Sequence, residues 1–115
     1  MSVREDASLS IRINLANGGR FGPGKAALLR AIAEGGSIRA AAQSLAMSYP
    51  RALKLIDEMN ADFRHALVTS SVGGSERGGS ALSETGRSVL NAYDATCAKA
   101  EAATKEILAE MTSLL

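Results

Sequence analysis

Apolar and polar residues alternate strictly from Leu9 to Leu15 ("LSIRINL"). Leu9, Ile11, Ile13 and Leu15 fall on one side, Ser10, Arg12 and Asn14 on the other. A period of two predicts a half-buried strand, and residues 1–8 before it read as a frayed end. The glycines and proline of "ANGGRFGPG" then turn the chain. From about Gly24 to Glu34 the period becomes helical, with Leu28, Leu29 and Ile32 as core positions. Gly35 and Gly36 end that helix, because glycine accepts the left-handed backbone of a helix terminus. Ser37 is placed to cap a second helix whose buried stripe is Ile38, Ala41, Ala42 and Leu45. After the short turn "LAMS", Ser48 caps a third. Pro50 is harmless in its first turn, where N–H groups have no carbonyl partner. On helix three Ala52, Ile56, Met59 and Phe63 share a face, Leu53 and Leu55 flank it, and Arg51, Lys54 and Glu58 lie opposite. "LVTSSV" (67–72) predicts a strand, "GGSERGG" (73–79) a glycine-rich loop and "SALS" (80–83) the returning strand of a hairpin. Ser83 then caps a last helix that runs toward the C-terminus.

That last helix carries a seam. Leu90, Tyr93, Cys97, Ala100, Thr104, Ile107, Met111 and Leu114 are spaced alternately by three and four. Heptad spacing over more than three repeats predicts pairing with another helix. At ~1.5 Å per residue, thirty residues extend ~45 Å, beyond what a small domain can cover by itself. The middle of the seam is small, which allows partner backbones to approach.

Composition narrows the picture. At 115 residues the chain is one domain with an appended element, read as a unit over 1–84 and a dimerisation helix over 85–115. With two Phe, two Tyr and no Trp, the core must be filled by Ala, Leu and Ile. A single cysteine, Cys97, cannot form an internal disulfide and suits a reducing compartment. "MSVREDASLS" lacks the apolar stretch of a leader, and no apolar run reaches the ~18 residues a bilayer demands, so a cytoplasmic location is expected. The net charge of +1 hides an asymmetry: residues 1–56 carry +5 and residues 57–115 carry −4. A basic half that contains the helix pair hints at a polyanionic partner.

Strand, helix, helix, turn, helix, hairpin, helix is the order of a winged helix-turn-helix, mostly α with a small sheet. A tight joint makes helix three protrude, and a protruding helix fits the ~12 Å major groove of B-DNA. In that reading Ser37 and Ser48 cap helices beside phosphate, and Pro50 lies in the leading turn. Tyr49 bonds a phosphate or packs on a thymine methyl, Arg51 reads guanine, and Lys54 serves base or phosphate. Arg39 and, in the wing, Arg77 contact phosphate, although Glu76 opposes Arg77.

At these residues the chain resembles a known family. "RFGPGKAALLRAI", "GSIRAAAQSLAMSYPRALKLIDEMN", "LV", "GGSERGGSALS" and "TGRSVL", in that order, are similar to the DNA-binding domain of molybdate-responsive regulators of the ModE type, over roughly residues 9–95. That fold is related to the N-terminal domain of LysR-type regulators. The resemblance implies a homodimeric winged-helix protein, paired through its terminal helix, that binds double-stranded DNA at an inverted repeat and regulates transcription. Full-length members add oxyanion-binding domains. None is expected in residues 1–115, and neither a cofactor nor a small-molecule effector is implied by the residues present. Ala46 stands in the turn where related motifs often have glycine, and suits a backbone that avoids positive φ.

Other chemistries find no footing. "GGSERGG" returns into a strand instead of opening a helix, unlike a phosphate-binding loop. His65, the single histidine, has no Cys or His at ligand spacing, so no metal site is expected. Cys97 reads as packing. Asp57, Glu58 and Asp62 read as a solvated helix end. No nucleophile–base set or carboxylate pair suggests an enzyme. Two alternatives stay open: an interaction module that heterodimerises with a fuller regulator, and an oxyanion-binding protein.

Overall fold

A computed structural model describes residues 7–73 and 76–115, the side chains of 71–73 and 76–78 excepted. Its elements run β1 (Ile13–Asn14), β2 (Arg20–Phe21), α1 (Pro23–Gly35), α2 (Ile38–Ser44), α3 (Tyr49–Asp62), β3 (Val68–Gly73), β4 (Glu76–Leu82) and α4 (Glu84–Ser113). Two small antiparallel sheets, β1–β2 and β3–β4, flank a helical core. This is a winged helix-turn-helix with a long C-terminal helix.

The helix boundaries follow from capping. Gly36, at φ 72°, closes α1 and donates its N–H to the Ile32 carbonyl. The Ser37 hydroxyl accepts from the Ala40 N–H at 3.0 Å, Ser48 from Arg51 at 3.2 Å and Ser83 from Gly86 at 2.9 Å. Each satisfies one N–H that the first turn of a helix leaves without a carbonyl. Phe21, Leu28, Leu29, Ile32, Met59 and Leu67 are the largest side chains fully withdrawn from solvent. Ala41, Ala42 and Ala52 complete the core where α1, α2 and α3 meet. Small side chains at that junction let three helices pack without large aromatics.

The wing is anchored at its base. The Ser80 N–H donates to the Gly36 carbonyl at 2.8 Å, which ties β4 to the α1–α2 joint. Asn60 on α3 brackets the start of β3. Its Oδ1 accepts from the Leu67 N–H at 2.8 Å and the Val68 N–H at 3.3 Å, while its Nδ2 donates to the Val68 carbonyl. Gly86 lets α4 begin hard against β3, since a Cβ there would collide with the Leu67 carbonyl oxygen.

Four local expectations are corrected. Of the strand expected over Leu9–Leu15, only Ile13 and Asn14 form a ladder, opposite Phe21 and Arg20. The preceding residues lie along α4 instead: the Ala7 N–H donates to Thr112 Oγ1 at 3.3 Å, and the Tyr93 hydroxyl donates to the Ile11 carbonyl at 2.7 Å. Residues 7 and 8 are therefore held rather than frayed, and residues 1–6 lie outside the described part. The return strand starts at Glu76, not Ser80, so the ladder extends through much of the expected loop. Ala46 has φ 53°, in the region its side chain was expected to avoid. The Met47 N–H reaches the Ala42 carbonyl and the Ala46 N–H the Gln43 carbonyl, which together make the left-handed helix ending that favours glycine.

Candidate nucleic-acid interface

Helix α3 buries Ala52, Ile56 and Met59 against the core. The same helical periodicity turns Arg51 and Lys54 outward, and both are exposed. Pro50 is exposed beside them in the leading turn. The two ion pairs among the described residues, Lys25–Glu58 at 3.1 Å and Arg30–Asp94 at 2.7 Å, involve neither Arg51, Lys54 nor Arg39. All three cations are exposed. Glu58 is not a merely solvated acid: it holds Lys25, whose ammonium also donates to the Arg20 carbonyl at 2.8 Å.

Tyr49 does not stand free. The Arg39 guanidinium lies 4.4 Å from the centre of its ring, a cation–π stack that links α2 to the start of α3. Both residues, with Ile38, Ser70, Gly79 and Ser80, line a cleft of about 310 Å³ between the helix pair and the wing. One ring face is thus occupied by Arg39. Ser37 and Ser48 act first as caps, their hydroxyls already engaged by backbone N–H groups. The side chain of Arg77 lies outside the described residues.

A second group of cations was missed by sequence reasoning. Arg12, Arg20 and Lys25 line, together with the expected Arg51 and with Glu58, a cleft of about 300 Å³ beside the N-terminus of α1. The signal was the polar phase of "LSIRINL", which sends Arg12 away from the core. Nothing local shows that the β1–β2 turn brings Arg12 and Arg20 alongside α3.

The residues expected to form the dimer seam separate into three groups. Leu90 and Tyr93 are buried in the chain's own core, where Tyr93 packs edge-on against Phe21 with ring centres 5.2 Å apart. Those two positions are thus filled from within rather than by a partner. Cys97, Ala100 and Thr104 are half-buried. Ile107, Met111 and Leu114 are exposed, at 61%, 58% and 81%. Tyr93 is held protonated, its pKa pushed up to about 12. Burial is the main cause; the neighbouring Cys97 thiol and Asp94 carboxylate add to it, and Arg30 opposes them. Among the described residues no group of three or more His, Cys, Asp or Glu could hold a metal ion, and no helix is long and apolar enough to cross a membrane.

A protruding, cation-bearing helix braced by a second helix and flanked by a β-hairpin defines a DNA-binding winged helix-turn-helix protein. Comparison with known proteins agrees: the family described as bacterial regulatory helix-turn-helix protein, lysR family, matches residues 25–87, more than half of the chain. The chain belongs to that family, and its DNA-binding domain is ModE-like. It is 38% identical over 78 residues to the molybdenum-pterin-binding protein MopB of Rhodobacter capsulatus, covering 68% of this chain and 29% of the relative. It is also 38% identical over 72 residues to the DNA-binding transcriptional dual regulator ModE of Escherichia coli K12, covering 63% of this chain and 28% of the relative. The chain thus matches less than a third of the length of either relative.

Proposed function

We propose that this chain is a sequence-specific transcriptional regulator that binds double-stranded DNA as a homodimer. The observation that carries the reading is α3, which is buried along Ala52, Ile56 and Met59 and bears Arg51 and Lys54, exposed, on its outer side. In this reading α3 enters the major groove. Arg51 reads guanine, and Lys54 serves base or phosphate. Arg39, Arg77 and the newly recognised Arg12 and Arg20 neutralise phosphates on either side. Tyr49 and the caps Ser37 and Ser48 orient these groups.

The division of labour is residues 1–84 for DNA and 85–115 for pairing, with the outer part of α4 as the element that meets a partner. Cys97, Ala100 and Thr104 would lie beside that contact, and Ile107, Met111 and Leu114 within it. Two chains related by a twofold axis present two copies of α3, so the operator would be an inverted repeat. Its half-site centres would lie about one helical turn, ~34 Å, or a multiple of it apart. The protein would act in the cytoplasm. Selection of bound fragments from random genomic DNA, followed by fluorescence anisotropy at several salt concentrations, tests the reading. An enriched inverted repeat, bound far more tightly than shuffled DNA, is the expected result. Equal affinity for both would overturn specific recognition.

A further inference from the structure

Lys25 stands where β2, α1 and α3 meet. Its ammonium donates to the Arg20 carbonyl at 2.8 Å and pairs with Glu58 at 3.1 Å. An ammonium has three N–H donors, and the third has no acceptor among the described residues. The Lys25 side chain is only 12% exposed and Glu58 is 44% exposed. The ammonium is therefore held in place, while the carboxylate can turn out to water. Lys25, Glu58 and Arg20 border two clefts. The one of about 300 Å³ adds Arg12 and Arg51, and the other, of about 450 Å³, adds Asp62 and no further cation. The first cleft is thus strongly positive and the second is not. Packing lays Arg12 along the first: a Cβ at Gly22 would sit 3.4 Å from the Arg12 Cγ. A Cβ at Gly24 would meet nothing within 4 Å, so the entrance beside it is open.

We propose that the positive cleft binds one phosphate of the DNA backbone, and that Lys25 exchanges Glu58 for that phosphate when DNA docks. The inference rests on the DNA binding by α3 proposed above and names the contact on one flank of that helix. Position comes first. Arg51 belongs both to the outer side of α3 and to the cleft, so a groove that receives α3 brings a strand past the cleft. At ~100° per residue, Arg51, Leu55 and Glu58 fall within a ~60° arc of α3, and Tyr49, stacked on Arg39, lies on the opposite side. The cleft and the Arg39 stack therefore stand at the two edges of the helix, where the backbones bordering a major groove ~12 Å wide must run. The chemistry agrees. Arg and Lys side chains offer donors and no acceptor, so the cleft suits a negative group rich in acceptors, and its open entrance lets a strand pass over it. The exchange is inexpensive, because an ion pair with an exposed carboxylate is weak and a charge-assisted bond to phosphate replaces it. Glu58 opposes the incoming phosphate, and with Asp62 beyond it the contact ends at the border between the two clefts.

Fluorescence anisotropy of the full chain on its selected operator tests this, because the two members of the ion pair should act in opposite directions. Lys25→Gln should weaken binding about three- to tenfold, on selected and random DNA alike, and shrink the salt slope by about one unit per protomer. Glu58→Gln should strengthen binding about threefold, and most of that gain should vanish in the Lys25→Gln background. A pair that only braces α1 against α3 would make both variants weaken binding or leave it unchanged, and either result would overturn the proposal. The operator gives a second reading that leaves the protein fold untouched. Replacing backbone phosphates one at a time by neutral methylphosphonate should reveal one position in each half-site whose loss costs the wild type several-fold. The same replacement should cost Lys25→Gln and the exposed-site variant Arg12→Ala little. Saturable binding of inorganic phosphate that is lost in Lys25→Gln, with every methylphosphonate operator bound normally, would make the occupant a free anion instead. A wild type that binds no duplex would overturn the DNA reading itself. Tight operator binding with no Lys25-dependent phosphate would overturn this contact alone.

Discussion

Arg51 and Ala46 sit five positions apart and are constrained by opposite demands. Arg51 is exposed and outside both observed ion pairs, and in the proposed reading it contacts a base. Arg51→Ala should leave stability within about 0.5 kcal/mol. It should cost ~1–3 kcal/mol of affinity for the selected site and relax one base position in each half-site. Anisotropy against a panel of single-base variants reads both effects. Unchanged selectivity would remove α3 as the reader. Ala46 makes no such contact but occupies φ 53° at the close of α2. A left-handed backbone costs a residue with a Cβ roughly 1–2 kcal/mol, and glycine gives back part of that through its freer unfolded chain. Ala46→Gly should therefore stabilise the fold by about 0.5–1 kcal/mol in urea denaturation.

Elements are held to one another by a few directional contacts, and two of them converge on α4. Gly86 allows the helix to start against Leu67, so Gly86→Ala should destabilise by ~1–3 kcal/mol through overpacking, seen as a lower thermal midpoint. Tyr93 pins the N-terminal segment through the Ile11 carbonyl and meets Phe21 inside the core. Its folded pKa of about 12 stands above the ordinary 10, mainly through burial. Below pH 10 the phenol is neutral in both states and this contribution to stability is complete. Between pH 10 and 12 the unfolded chain ionises first, which favours unfolding, and the contribution is gone above the folded pKa. Tyr93→Phe should thus cost about 1 kcal/mol at pH 8 by losing one hydrogen bond. The gap between wild type and variant should close above pH 10 and reverse in sign by about pH 11.5. A gap that stays constant would show that Tyr93 does not resist ionisation.

The whole molecule behaves as a charge distribution and, in the proposed reading, as half of a pair. Arg12 and Arg20 flank α3 on one side and Arg39 lies toward the wing on the other. If they neutralise phosphate, replacing Arg12, Arg20 or Arg39 by Ala should weaken specific and random DNA alike. The salt slope should shrink by about one unit per contact in each protomer. An unchanged slope in all three would confine the contact to α3. Ile107→Asp should convert the dimer to monomer by placing an unpaired charge in its contact. Binding to a single half-site should change little, while the full repeat loses the advantage of two linked recognition helices.

Periodicity along the chain was enough to set the helices, because capping serines and a 3.6-residue apolar repeat are local properties. Ser37, Ser48 and Ser83 cap where the sequence predicts, and Ala52, Ile56 and Met59 face inward as their spacing requires. The strand over Leu9–Leu15 was only partly legible. Alternation shows that one side is buried but not against what, and residues 7–11 bury theirs on α4 without a ladder. The seam of α4 shows the same gap: heptad spacing marks an apolar stripe, but the partner of each position is a matter of long-range packing. Leu90 and Tyr93 went to the chain's own core, the N-terminal segment took one flank, and Ile107, Met111 and Leu114 were left exposed. The stacking of Arg39 on Tyr49 and the gathering of Arg12 and Arg20 beside Arg51 were likewise decided only in three dimensions. The sequence by itself determined which residues can be buried and where helices begin. The tertiary structure decided which surfaces remain uncovered, because a side chain's neighbours are set by segments tens of residues away.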